Sequence, residues 1–191
     1  LEYQSQYQTT AGLKNILSNT PFATSTFQYT DDQSGTQKEI SYVNAFLDAA
    51  KDSGVSPYHL ASRVKQEVVT GATTTSIAVT GTTTEYPGIY NFYNIGATSG
   101  ATPALNGLKW ASTGDTYLRP WTNPYRSIVG GAMYIGSNYI NRGQNTGYLQ
   151  KFNVTPTGTY NHQYMTNVEA ANSEALKTKN AYNCLLYTSP S

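Results

Sequence analysis

One helix organises this chain, and its sequence reads Ser56-Pro57-Tyr58-His59-Leu60-Ala61-Ser62-Arg63-Val64-Lys65-Gln66-Glu67-Val68. Ser56 is a preferred N-cap residue and Pro57 is tolerated at the first helical position, so the pattern predicts a helix of about three turns. The apolar residues recur at helical spacing and form one stripe, which comprises Leu60, Ala61, Val64 and Val68. Glu67 follows Leu60 by nearly two turns and is therefore predicted to point towards the core.

A carboxyl group in this position has two interpretations. Burial and the negative end of the helix dipole both favour the protonated form of Glu67. A carboxylic acid that stays protonated near neutral pH is what a glycosidase uses to protonate the oxygen of a leaving sugar. The same spacing also allows an ordinary ion pair between Glu67 and Arg63, one turn earlier. The helix pattern alone leaves both interpretations open.

Composition narrows the class of protein. The 191 residues suffice for one domain with a substantial core, and only 12% of them are charged, with a net charge of +1. A nucleic-acid partner requires clustered Lys and Arg and is not expected. No apolar run is long enough to cross a bilayer, so no membrane span is predicted. The single Cys184 excludes an intrachain disulfide, and His59 and His162 lie too far apart for a metal-binding motif, so we predict no metal site and no cofactor.

The first half of the chain carries several weaker signals. We predict a short helix over residues 11–17 and a hairpin-like strand over residues 27–30. Residues 36–39 fit a capping box, which predicts a helix from there to Gly54. The threonine-rich segment 70–84 surrounds a strand-like run at residues 77–79 and predicts a β-hairpin lobe at the rim of a cleft.

The second half of the chain predicts three further helices. Thr102-Pro103 opens one of them, and Asn123-Pro124 opens a longer one with Gly143 as its stop. Glycines inside the longer helix predict close approach of a neighbouring helix. A C-terminal helix is predicted from Tyr164 to about residue 182. The fold class is therefore mainly α, in the α+β class, with a small β lobe.

Several segments in this order carry a family resemblance. They are Ala61 to Glu67, Tyr90 to Ala97, Gly107 to Ala111, Arg119 to Trp121, Pro124 to Ile128, Tyr148 to Val154 and His162 to Asn167. Together they cover roughly residues 36 to 182 and resemble the glucosaminidase domain of glycoside hydrolase family 73, in particular cell-wall autolysins of Gram-positive, clostridia-like bacteria. The resemblance implies a lysozyme-like fold of the goose-type superfamily, with the β-hairpin lobe beside the cleft.

The resemblance also implies an activity. Members of the family hydrolyse the β-1,4 bond after N-acetylglucosamine in peptidoglycan, so the expected partner is a peptidoglycan glycan strand. A secreted or cell-wall location and a monomeric state are expected. A muramidase or lytic transglycosylase on the same fold is the alternative enzyme, and a cell-wall-binding module without turnover is the alternative of another class.

The resemblance assigns roles to individual residues. Glu67 is implied as the general acid. Tyr93 and Asn94 are expected at the floor of the cleft, with Phe92 and Ile95 beside them as substrate-binding residues. Tyr164 resembles the cleft tyrosine of the superfamily, although a core aromatic at helical spacing explains it equally well.

A second catalytic carboxylate has one candidate in the sequence. Glu85 alone could supply it, and a solvated turn residue explains Glu85 as well. Without it, the acetamido group of the substrate would attack the anomeric carbon, so inverting and substrate-assisted mechanisms both stay open. Domain boundaries are predicted as follows: residues 1–35 form an extension packed on the domain, 36–183 form the catalytic domain, and 184–191 are a non-native tail.

Overall fold

A computed structural model describes residues 1–146 and five helical positions further on, namely Asn172, Ala175, Leu176, Lys179 and Asn180. Within residues 1–146 the α-helices are α1 (Thr10–Leu17), α2 (Tyr42–Ser53), α3 (Pro57–Val68), α4 (Pro103–Ala111) and α5 (Pro124–Asn138). Strands β1 (Thr26–Thr30) and β2 (Gln37–Ser41) pair antiparallel, with Phe27 opposite Ile40. The predicted mainly α fold with a small β-hairpin is confirmed.

The core forms where three helices meet. Helix α2 packs against both α3 and α5, and α1 packs against α3 and α2. Wholly buried side chains from these helices fill the centre, among them Phe46, Leu60 and Ile128. A methyl group added at Gly136 of α5 would lie 2.6 Å from the backbone carbonyl of Ser53. The predicted role of an α5 glycine in close helix packing is therefore confirmed at this position.

Three helix starts predicted at prolines are confirmed, including that of α3 at Pro57, and one predicted at a capping box is wrong. Helices α4 and α5 begin at the prolines that follow Thr102 and Asn123. The capping box at residues 36–39 does not open a helix, because Gln37–Ser41 forms β2. Helix α2 instead begins after Ser41, whose hydroxyl accepts a hydrogen bond from the Asn44 amide. Pairing with β1 satisfies the backbone of residues 37–41, and this tertiary contact overrides the local capping signal.

The threonine-rich segment also differs from its prediction. Residues Ile77–Val79 form a short 3-10 helix rather than a strand, and the Ser76 hydroxyl caps it. A single antiparallel bridge joins Val69 to Thr75 in this segment. The hairpin of the described structure is therefore the β1–β2 pair. Helix α5 ends at Asn138, and a second 3-10 helix, Ile140–Arg142, continues to Gly143.

The N-terminal segment is fastened to α3 by polar contacts. The Thr9 amide donates a hydrogen bond of 2.8 Å to the Tyr58 hydroxyl, which lies against Gly12. At the other end of α1, Lys65 Nζ donates to the carbonyls of Ile16 and Ser18. The predicted domain boundary at residues 35 and 36 falls in the turn between β1 and β2 and stays a prediction. Tyr164 and the predicted tail 184–191 lie outside the described residues.

Candidate active site

Glu67 lies in the last turn of α3, where this helix leaves the core. Every residue from Pro57 to Val64 is buried, whereas Lys65, Gln66 and Glu67 are half-buried. The prediction that Glu67 points towards the core is therefore met only in part, because Glu67 is half-buried at the boundary between core and surface. A carboxyl group at such a boundary is partly desolvated and still accessible to a ligand.

Asn94 contacts Glu67 at two atoms. Its Nδ2 donates a hydrogen bond of 3.0 Å to the Glu67 backbone carbonyl and lies 3.4 Å from Glu67 Oε2. The last carbonyls of a helix lack partners within the helix, so this contact satisfies one of them. It also ties the end of α3 to the loop of residues 91–96, the Asn94 loop. Asn94 has a φ of +49°, a left-handed conformation that asparagine tolerates better than most residues. The structure thus brings together two residues that the sequence assigned to one site.

The neighbours of Asn94 belong to the core. Phe92 and Tyr93 are 0% and 1% exposed, and Ile95 is also buried. The Tyr93 hydroxyl donates a hydrogen bond of 3.1 Å to the Ile128 carbonyl of α5. Burial raises the pKa of Tyr93, while the nearby charge of Arg63 lowers it by a smaller amount, so this hydroxyl stays protonated. The geometry favours a supporting role for these three side chains, in place of the direct substrate contact expected of them.

Helix α5 makes room for the Tyr93 ring. A methyl group added at Gly131 would lie 2.3 Å from Tyr93 Cδ2, and one at Gly130 would lie 2.0 Å from the Tyr117 carbonyl. Real Cβ atoms do not approach other atoms this closely, so both positions require glycine. Gly131 therefore leaves room for the aromatic ring beside Asn94, and Gly130 leaves room for the Tyr117 backbone.

Two polar residues that the sequence reasoning left without a role support the Asn94 loop. The Ser127 hydroxyl, wholly buried on α5, accepts a hydrogen bond of 3.0 Å from the Phe92 amide. Asn91 is wholly buried as well. Both belong to the segments that carried the family resemblance, and Ser127 interrupts the apolar face of a helix, which is the signal that could have marked it.

Trp110 closes the loop on the far side. Gly96, at a φ of +76°, packs so closely on Trp110 that an added methyl group would lie 2.6 Å from its Cβ. The Arg119 guanidinium covers the Trp110 ring at 4.0 Å from the ring centroid. Trp121 is wholly buried and meets Trp110 edge to face. The two tryptophans therefore serve mainly as packing for the loop that carries Asn94.

Glu85 and Tyr164 are the remaining candidate residues. Glu85 is exposed, in a turn closed by a hydrogen bond from the Gly88 amide to the Gly81 carbonyl. This environment agrees with the interpretation of Glu85 as a solvated turn residue. Tyr164 lies outside the described residues. Among the residues described, no group of three or more His, Cys, Asp or Glu side chains is placed to hold a metal ion.

Sequence comparison identifies similar proteins. The chain is 33% identical over 144 residues to Beta-N-acetylglucosaminidase of Bacillus subtilis (strain 168). It is 33% identical over 146 residues to the Bifunctional autolysin of Staphylococcus epidermidis and 34% identical over 149 residues to that of Staphylococcus aureus. The chain is a homologue of bacterial glucosaminidases. This finding confirms the resemblance stated from the sequence motifs.

The aligned region covers most of this chain but only a small part of each relative. They cover 74% of this glucosaminidase homologue and 15% of the B. subtilis protein, and 73% of it and 10% of the S. epidermidis autolysin. The chain therefore spans a small part of the length of these curated relatives. No family model matches the chain.

Solved structures confirm the fold of the glucosaminidase homologue. The crystal structure of a catalytic mutant of S. aureus Autolysin E in complex with the disaccharide NAG-NAM superposes with a TM-score of 0.61 at 18% identity, covering 97% of this chain and 75% of that one. The Major Bifunctional Autolysin gives a TM-score of 0.55 at 26% identity, covering 94% and 64%. The fold is thus that of autolysin glucosaminidases, which is lysozyme-like. Another Autolysin E structure is a complex with a muropeptide.

None of the helices in the described ranges has the length and apolarity that a bilayer crossing requires.

Proposed function

We propose that this chain hydrolyses the β-1,4 bond between N-acetylglucosamine and N-acetylmuramic acid in peptidoglycan, with Glu67 as the general acid. The observation that carries the proposal is the pairing of the half-buried Glu67 with Asn94 at the end of α3. The names of the homologous proteins and the disaccharide in the Autolysin E complex support the choice of substrate.

The hydrogen bonds of Asn94 orient the Glu67 carboxyl group. Asn94 Nδ2 lies 3.4 Å from Glu67 Oε2, so Oε2 is the acceptor in this pairing. Glu67 donates a proton to O4 of the leaving N-acetylmuramic acid as the bond from C1 to O4 breaks. Asn94 also holds the Glu67 backbone and so limits the positions from which the proton is delivered.

Either Glu85 or the acetamido group of the substrate can complete the reaction at C1. If Glu85 activates a water molecule, the anomeric configuration inverts, and Glu85→Gln abolishes turnover. If the substrate acetamido group attacks C1, the configuration is retained, and Glu85→Gln leaves turnover intact. The exposed turn around Glu85 supports the second route. In that route Tyr164 is the candidate for orienting the acetamido group, and Tyr164→Phe lowers turnover.

Product analysis tests the proposed bond specificity. Purified cell walls are digested, and the new reducing ends are reduced with borohydride and identified by mass spectrometry. Reduced N-acetylglucosamine ends support the proposal. Reduced N-acetylmuramic ends indicate a muramidase, and 1,6-anhydromuramic ends indicate a lytic transglycosylase, and both results overturn it.

Matched glutamate variants separate catalysis from wall binding. Glu67→Gln removes the proton donor at nearly constant shape, whereas Glu39→Gln changes an exposed glutamate on β2. Glu67→Gln abolishes wall lysis and leaves sedimentation with walls unchanged, and Glu39→Gln has little effect on either. Lysis that survives Glu67→Gln contradicts the role of Glu67, and absence of lysis by the wild type, with binding retained, indicates a binding module.

The setting of the enzyme follows from its substrate. We propose that the protein acts outside the cell, at the cell wall, as a monomer, and that residues 36–183 form the catalytic domain with residues 1–35 packed on it. The proposed tail 184–191 is dispensable, so its removal leaves turnover unchanged. Sedimentation equilibrium of the chain, with and without glycan fragments, tests the monomeric state.

A further inference from the structure

Asn91 uses all of its side-chain hydrogen-bonding groups inside the core. Its Nδ2 donates to the Ile95 carbonyl at 2.8 Å and to the Gly107 carbonyl at 2.9 Å. Its Oδ1 accepts from the Ile95 amide at 3.1 Å. The side chain is 0% exposed, and a buried amide is costly unless its partners are in place. Asn91 therefore fixes Ile95 from both its amide and its carbonyl side.

The hydrogen bonds of Asn91 hold the loop that contains Asn94. The bonds from Asn91 to Ile95 close a loop of which Asn94 is a member, and the bond to Gly107 ties the loop to α4. Asn94 has the left-handed conformation from which its Nδ2 reaches Glu67. A relaxed loop would release this conformation, because left-handed backbone is unfavourable for residues other than glycine.

We infer that Asn91 is a positioning residue for the reaction of Glu67. It holds Asn94 in the conformation that contacts Glu67, and it acts without touching the substrate because it is wholly buried. The inference rests on the proposed function, since it assigns Asn91 to the same proton transfer. It predicts that the effect of Asn91 on turnover passes through Asn94.

Two variants perturb the Asn91 bonds in different ways. Asn91→Ala removes all of them. Gly107→Ala keeps Asn91 but adds a methyl group 3.0 Å from its Nδ2, a contact so tight that the amide must shift by a few tenths of an ångström. Alanine favours helix over glycine, so Gly107→Ala also supports α4 and serves where Asn91→Ala fails to fold. Asn106→Ala is the matched control, because the Asn106 amide donates to the exposed Thr98 hydroxyl at 3.2 Å, outside the loop from Asn91 to Ile95.

The experiment measures kcat and KM on soluble glycan fragments well below the melting temperature of each variant. Asn91→Ala and Gly107→Ala are expected to lower kcat by roughly ten- to a hundredfold, the range for a misplaced catalytic group, with KM nearly unchanged. In an Asn94→Gly background, Asn91→Ala is expected to cause no further loss of kcat, because both variants break one chain of contacts.

The outcomes distinguish this inference from the function on which it rests. Additive losses in the double variant, a loss in KM alone, or an equal loss in Asn106→Ala overturn the positioning role while turnover by the wild type stands. A wild type without glucosaminidase turnover overturns the proposed function, and the inference with it.

Discussion

Asn94 offers a test that separates backbone strain from the loss of its amide. Asn94 combines a φ of +49° with a hydrogen bond of 3.0 Å to the Glu67 carbonyl. Asn94→Gly removes the amide and keeps the left-handed backbone at no steric cost. Asn94→Ala removes the same amide and in addition strains the backbone, because its Cβ clashes in this conformation.

The structure gives the size of each effect. Loss of the hydrogen bond leaves the Glu67 carbonyl without this donor and costs about 1 to 3 kcal/mol in both variants. The left-handed conformation costs alanine a further 1 to 2 kcal/mol or so, while the entropy of glycine offsets about 0.5 to 1 kcal/mol of that difference. Asn94→Gly is therefore more stable than Asn94→Ala by about 0.5 to 1 kcal/mol, the reverse of the order at most positions.

Thermal unfolding and turnover are measured on the same preparations. The stability difference corresponds to a melting temperature about 1 to 4 °C higher for Asn94→Gly than for Asn94→Ala. Turnover falls in both variants by a similar factor, roughly ten- to a hundredfold, because both lose the contact with Glu67. An alanine variant more stable than the glycine variant refutes the backbone reasoning, and full turnover in either variant refutes the role of the amide.

Two further predictions concern the core that supports the site. Gly131→Ala adds a methyl group 2.3 Å from the buried Tyr93 ring, and the resulting overpacking of about 1 to 3 kcal/mol exceeds the gain in helix propensity of about 1 kcal/mol. Calorimetry is therefore expected to show a lower melting temperature for Gly131→Ala, whereas Ser137→Ala, at an exposed position of the same helix, does not lower it. Stabilisation by Gly131→Ala contradicts this packing. Burial, with a smaller contribution from Tyr90, raises the pKa of Tyr42 from 10.0 to about 12, so the stability contribution of its neutral form is complete below pH 10 and is lost as the pH rises through 12. Urea unfolding from pH 9 to 12 shows this decline, Tyr42→Phe makes it shallower, and an unchanged slope in Tyr42→Phe contradicts the assignment.

Helix starts were predictable where the signal is local. Pro57, Pro103 and Pro124 each stand at the first position of a helix, as their fixed backbone angle predicts, and Asn123 caps α5 with its side chain. These features depend on a few neighbouring residues, so the sequence contains what is needed to find them.

Other features depend on contacts between distant residues. The run at 36–39 satisfies the rules for a capping box, but its pairing with β1 is decided by residues 26–30, which a local window does not include. The motif around Tyr93 predicts a residue of the cleft, whereas in the structure the Tyr93 ring is buried against Gly131 of α5. The left-handed Asn94 and the hydrogen bonds of Asn91 likewise require the loop and α4 to be in place.

The role of Glu67 as a proton donor can be measured through the leaving group. Wild type and Glu67→Gln are compared on a glycan fragment that ends in N-acetylglucosamine, linked either to a sugar or to 2,4-dinitrophenol. Loss of a general acid matters only for a leaving group that needs protonation. Glu67→Gln is expected to lose turnover by roughly a hundredfold or more with the sugar and to approach wild-type turnover with dinitrophenol. An equal loss on both substrates contradicts proton donation by Glu67.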